Sequence, residues 1–263
     1  MPLVFGAIVP HPPVVIPAIG QSNLKQVKKT KKSLERLAEE LYHAKPDTII
    51  IISPHGQLLS DTFIINHSPV LLADFEDFGD VSTKLKFNND LGLAYKIREA
   101  LETKIPLVLT TDEKLDHGSF IPLYYLAENL RKVPIIPISY SSLDRQTHFK
   151  FGQEIRRVLE DNEKRVAVVA SGDLAHCLTK KAPAKYSPQG KIFDQKLIEL
   201  LKERNHQQIL DLDKKLVDDA SECGYRSILI LLGIFDEINY EFKLLSYEGS
   251  LGVGYLVAQF IIK

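Results

Sequence analysis

Short apolar runs rich in β-branched residues alternate along the chain with longer segments whose apolar positions recur every three or four residues, the mark of strands alternating with amphipathic helices. Leu3 to Val9 predicts a first strand. Gln21 to Ala44 predicts a helix, with Leu24, Val27, Leu34, Leu37 and Leu41 on one face among lysines and glutamates. Thr48 to Ile52 is a continuous β-branched run suited to a strand buried on both faces. An aspartate-rich stretch from Asp74 to Asp80 reads as a loop, followed by a short strand over Lys84 to Phe87 and a helix from Asn89 to Thr103. Further strands are expected over Leu107 to Thr110, Pro134 to Ser139 and Arg165 to Ala170, with helices over Ile121 to Leu130 and Gln146 to Asp161. Beyond a Pro- and Gly-punctuated stretch, Ala182 to Gly190, helical patterns resume through Glu203 and again from Cys223 to Leu232. The tail from Glu241 to Lys263 alternates like two closing strands around a glycine turn, an antiparallel edge. Strand and helix in alternation imply right-handed crossovers and a mainly parallel sheet with helices on both faces, an α/β/α sandwich formed as one domain over residues 1–263.

Composition narrows the class without changing that picture. Lysine plus arginine number 33 against 34 acidic residues, so no basic field is available for a nucleic-acid backbone or an anionic lipid surface. No apolar run approaches the roughly 20 residues that span a bilayer, and the opening MPLVFGAIVPHPP lacks the charged start of a signal peptide. A cytoplasmic location is expected, and with it reduced thiols at Cys177 and Cys223.

The chemistry is concentrated just past the predicted strands. His11 follows the first in a proline-stiffened Val9-Pro10-His11-Pro12-Pro13; His55 follows the second in Ser53-Pro54-His55-Gly56; His117 lies in an Asp116-His117-Gly118 loop, with Ser119 as a possible cap of the next helix; and His176 ends Ser171-Gly172-Asp173-Leu174-Ala175-His176. In an open α/β sheet, loops at the carboxyl ends of parallel strands converge on one crevice. These four histidines therefore predict a metal site. Asp173 and His176 stand three apart, and on a helical turn they would face the same way, so the carboxylate could orient the ring. His43, His67, His148 and His206 read as surface residues. Glu222 and Cys223 open an apolar helix, where a carboxylate could serve the helix dipole or point into the crevice as an anionic ligand. Two imidazoles and one carboxylate form the ligand set of non-haem Fe(II) oxygenases.

With these motifs in this order, nearly the whole chain resembles the class III extradiol ring-cleavage dioxygenases in their catalytic, LigB-type B-subunit. The opening GAIVPHPPVVIPAIG is most similar to the Memo-like branch, which includes proteins found beside radical-SAM and Ammecr-type partners. The resemblance implies Fe(II) held by His11, His55 and Glu222, an aromatic catechol-like substrate and dioxygen. It further implies His176 as general base and then acid, and His117 as a hydrogen-bond partner of substrate or oxygen. Memo-like relatives use instead histidines, the aspartate of a D-x-x-H motif and a cysteine before glycine, which correspond here to Asp173, His176 and Cys223. A thiolate would favour copper or zinc over iron. Three functions follow: an iron dioxygenase, a Memo-like metal protein in redox chemistry or partner recognition, and a metal-dependent hydrolase in which His176 activates a bound water. A homodimer or an Ammecr-type partner protein is the expected assembly.

Overall fold

A computed structural model describes residues 2–263. The elements run β1 (Leu3–Val9), α1 (Pro17–Gly20), α2 (Lys28–Ala44), β2 (Thr48–Ser53), β3 (Phe63–Asn66), β4 (Val70–Phe75), β5 (Asp80–Asn88), α3 (Leu91–Leu101), β6 (Leu107–Thr110), α4 (His117–Leu126) and β7 (Ile135–Ser139). They continue with α5 (Arg145–Glu160), β8 (Val166–Ser171), α6 (Pro188–Lys202), α7 (His206–Leu210), α8 (Lys214–Ala220), α9 (Tyr225–Ile234), β9 (Tyr240–Glu248) and β10 (Tyr255–Ile262). One sheet has the strand order β6-β3-β7-β2-β8-β1-β10-β9. Its centre, β7-β2-β8-β1, is parallel throughout. The closing pair β10 and β9 is antiparallel and forms one edge, as the tail's alternation predicts.

The β-branched runs sit centrally because each residue has an apolar layer to face. Ile50 and Ile52 of β2 and Val166 and Val168 of β8 enter the core under α3, α5, α6 and α9, whereas Ile49, Ile51, Ala167 and Val169 enter the core under α2 and α4. That two-sided burial yields the α/β/α sandwich with a mainly parallel sheet.

Several local expectations are corrected. The Asp74–Asp80 stretch is no loop: Asp74 belongs to β4 and Asp80 to β5, which pair as a separate ribbon around a 3-10 turn at Glu76–Phe78. Strand β5 exposes much of its surface, so its sequence is polar although its backbone is extended. Helix α4 begins at His117, and its cap is Asp116, which accepts a bond from the Ser119 amide at 3.1 Å. The helix expected from Gln21 starts as a 3-10 segment and becomes α-helical at Lys28. The last helix opens at Tyr225 rather than Cys223. His148 is fully buried, its ring nitrogens 2.8 and 3.2 Å from the carbonyl oxygens of Asp144 and Ser141, of which the neutral ring can donate to one, and burial pushes its pKa down to about 4. It is a core residue, not a surface one.

Candidate metal centre

Strands β1, β2 and β8 end side by side, and the residue after each turn is carried to the same crest. Serines close two of these strands and aim the rings. Ser171, the last residue of β8, contacts His11 Nδ1 through Oγ at 2.9 Å, which leaves Nε2 of the buried His11 directed outward. Ser53, the last of β2, accepts from the His55 amide at 3.2 Å and donates to Asp116, tying the His55 turn to the cap of α4. Gly56 lets that turn lie on β7, since a Cβ there would meet Ser139 Oγ at 2.1 Å. Nε2 of His11 and Nε2 of His55 stand 3.0 Å apart.

Cys223 reaches this point from the far end of the sequence through a backbone contact. Gly172 and Gly224 touch so closely that a Cβ on Gly172 would stand 2.0 Å from Gly224 Cα. The Asp173 carbonyl accepts from the amides of Cys223 and Gly224, at 3.3 and 2.9 Å. Cys223 Sγ then lies 3.7 Å from His11 Nε2 and 3.9 Å from His176 Nε2. The ligating atoms of His11, His55 and Cys223 fall within 4.8 Å of one another, close enough for a single ion.

The other candidates surround these three. His117 stacks on His55, ring centres 4.1 Å apart at 23°, and Phe78 of the β4–β5 turn meets its edge at 5.8 Å. Asp173 Oδ1 accepts from the His11 amide at 3.0 Å, and Oδ2 lies 3.8 Å from His176 Nε2. The segment joining Asp173 to His176 is not helical, so their approach comes from the loop rather than from a helical turn. Glu222 stands apart. Its Oε2 accepts from the Tyr225 amide at 2.5 Å, serving the start of α9, and it lines a second cavity shared with Arg145 and Arg226. The sequence leaves Glu222 and Cys223 as alternatives because neighbouring residues in a turn diverge, and nothing in their order says which one faces the histidines.

The electrostatics suit a cation. Burial, then the neighbouring histidines, lowers His55 to about 3, and burial lowers His11 and His117 too, so these imidazoles are neutral and carry free lone pairs. Burial alone would lower His176, but the Asp173 hydrogen bond and charge, aided by Glu222, raise it. Burial would raise Asp173, but His11 and the bonds from His176 and the His11 amide hold it below the ordinary carboxylate value. The Cys223 thiol is pushed well up by burial, with Asp173 and Glu222 adding to it. Binding an ion there must displace its proton.

A crevice of about 570 Å³ opens beside these rings, walled by His55, His117, Phe78, Phe120, Asn66 and Lys114. Ser53, Ser171 and Asp116 are the residues that sequence reasoning did not single out. The signal of the two serines, a hydroxyl at the last position of β2 and of β8, is visible only once the strand ends are known, and that of Asp116 only once α4 is seen to start at His117.

Known proteins resemble this chain over most of its length. The family described as the catalytic LigB subunit of aromatic ring-opening dioxygenase matches residues 6–258. A Clostridium acetobutylicum protein is 35% identical over 260 residues, which cover 94% of this chain and 55% of that one. A 4,5-DOPA dioxygenase extradiol of Beta vulgaris is 27% identical over 57% of this chain and 56% of its own. A MEMO1 family protein of Methanococcoides burtonii is 28% identical over 66% of this chain and 62% of its own. The chain thus spans little more than half the length of these relatives. A solved Escherichia coli K12 structure, of a protein described only as uncharacterized, shares the fold with a TM-score of 0.69 at 19% identity over 98% of this chain and 99% of its own.

Proposed function

Since the chain belongs to the family of catalytic LigB subunits of aromatic ring-opening dioxygenases, we propose that it is a metal-dependent oxidoreductase acting with dioxygen on a small, vicinally oxygenated aromatic molecule. The carrying observation is the convergence of His11 Nε2, His55 Nε2 and Cys223 Sγ on one point beside a substrate-sized crevice. Two neutral imidazoles 3.0 Å apart with a thiol beside them form a donor set that fits a transition ion. Fe(II), the usual ion of such dioxygenases, would supply coordination sites for the substrate oxygens and for dioxygen.

The surrounding residues have separable tasks. Phe78 and Phe120 offer apolar walls to a ring, and His117, stacked on His55, is placed to hydrogen-bond a substrate hydroxyl. His176 Nε2, kept basic by Asp173, takes the proton from that hydroxyl and later returns it. Asp173 positions both His176 and the His11 backbone.

A second reading rests on the thiol. With Cys223 in the cluster and the Glu222 carboxylate engaged at α9, the donor set is softer than two imidazoles and a carboxylate, which favours copper, and zinc after it. That chemistry suits a redox or partner-binding role.

Elemental analysis of protein purified without oxygen, joined to oxygen uptake on a catechol panel, separates these readings. Cys223→Ser is expected to lose the ion and Glu222→Gln to keep it; the reverse pattern overturns the ligand assignment. Oxygen uptake with a ring-opened product supports the dioxygenase, whereas tight copper binding without uptake supports the second reading.

A further inference from the structure

A larger cavity, about 740 Å³, lies against the opposite helical layer, between the starts of α5 and α9 and the length of α8. None of His11, His55 or Cys223 lines it. Its walls carry three cations, Arg145, Lys214 and Arg226, and among the described residues none of these is within ion-pair distance of a carboxylate.

The carboxylates on the same walls are largely occupied. Asp144 accepts from the Thr147 amide at Oδ1, 2.9 Å, and from the Thr147 hydroxyl at Oδ2, 2.7 Å. Glu222 accepts from the Tyr225 amide. Only Asp218 among the lining acids has a carboxylate without a partner among the described residues.

Both guanidinium groups are held in place rather than left to roam. Arg145 donates to the Leu212 carbonyl and lies 5.2 Å from the centre of the Tyr225 ring; Arg226 lies 5.8 Å from the centre of the Tyr140 ring. Each is half-buried. Glu222 acts on both guanidinium groups from beyond ion-pair distance, so their charge is only partly matched, and the planar fork of each fits a carboxylate or phosphate through paired hydrogen bonds.

We propose that this cavity is a binding site for an oxyanion-bearing small molecule, a carboxylate or a phosphate monoester, held between Arg145 and Arg226. The site is independent of the metal reading. It is nonetheless linked to the metal centre, because Tyr140, the ring under Arg226, donates its hydroxyl to the Cys223 carbonyl at 3.3 Å.

Calorimetric titration of the full chain with succinate and, separately, with inorganic phosphate at low ionic strength tests the proposal. One site is expected, weakened roughly tenfold or more in Arg226→Gln and in Arg145→Gln, weakened by sodium chloride, and unchanged in Cys223→Ser. Arg145→Gln also loses the Leu212 contact, so Arg226→Gln is the decisive variant if Arg145→Gln fails to fold. Binding of succinate alone assigns a carboxylate ligand, and binding of phosphate alone a phosphate one. No binding of either up to about 10 mM, or equal binding by Arg226→Gln and the parent chain, overturns it.

Discussion

Asp194 on α6 is fully buried and holds the loop that carries Asp173 and His176. Its Oδ1 accepts from the Ala175 amide at 2.9 Å, and its Oδ2 accepts from the Tyr247 hydroxyl at 2.6 Å. Burial raises its pKa from 3.8 to about 6, against the lowering effect of those two bonds. Between those values the folded chain binds more protons than the unfolded one, so this residue's contribution to stability is full below about pH 4, falls as pH rises toward 6, and is lost above it. Asparagine keeps an oxygen for Ala175 and can donate to the Tyr247 oxygen, yet carries no charge to bury. The stability of Asp194→Asn relative to the parent should therefore rise by roughly 2 kcal/mol between pH 4 and pH 7. Urea unfolding of both proteins at the two pH values checks this, and a difference independent of pH would mean that Asp194 stays neutral or is solvated.

At the scale of elements, the site depends on how closely β8 and α9 approach. A methyl group on Gly172 would stand 2.0 Å from Gly224 Cα, backbone against backbone, so neither side can yield by a rotamer change. Gly172→Ala should push the start of α9 away from the sheet, cost about 1 to 3 kcal/mol of stability and carry Cys223 off the histidines. Its ion affinity should fall by roughly tenfold or more; full ion content in a destabilised variant would remove Cys223 from the metal site. These elements were unequally legible in the sequence. β1, β2 and β8 are continuous apolar runs because both of their faces are covered, and α9 is apolar because it lies between the sheet and α5. β3 was not legible: four residues, Phe63–Asn66, set antiparallel to β7 and parallel to β6, leave too short a run to separate from its polar flanks. Of the β4–β5 ribbon only Lys84 to Phe87, inside β5, was legible; the start of β5 was hidden by its solvent-facing side chains. Within the site, strand-end position was enough to single out all four histidines. The divergence of Glu222 from Cys223 was not legible, because it is set by the contact between Gly172 and Gly224, 52 positions apart in the numbering.

Over the whole molecule, the two ends of the sheet divide the work. The carboxyl ends of β1, β2 and β8, with the start of α4, carry the histidines and the crevice; the amino ends carry a charged cluster with no access to them. There Asp90, with a side chain only 5% exposed, receives the Lys164 ammonium at 2.6 and 2.8 Å. It also accepts the Thr48 hydroxyl and caps α3 through the Leu93 amide at 3.2 Å. Burial would raise this carboxyl, but Lys164, Thr48 and Leu93 hold it below its ordinary value. Asp90 thus joins the starts of β2 and β8 to α3, and its amide donates to the Ile135 carbonyl at the start of β7. Lys164 is 45% exposed and well solvated, so its attraction is discounted, and most of the loss in Asp90→Ala comes from the cap and the stranded Thr48 hydroxyl. A loss of about 2 kcal/mol is expected from these terms. Because the rings are oriented locally by Ser53, Ser171 and Asp173, Asp90→Ala should keep its full ion content and affinity while unfolding at lower denaturant. Gly172→Ala, destabilised to a similar degree, should lose both. Metal analysis and urea titration of the two variants side by side distinguish a site built into one end of the sheet from one that weakens with any loss of stability. Equal loss of ion in both variants would favour the latter.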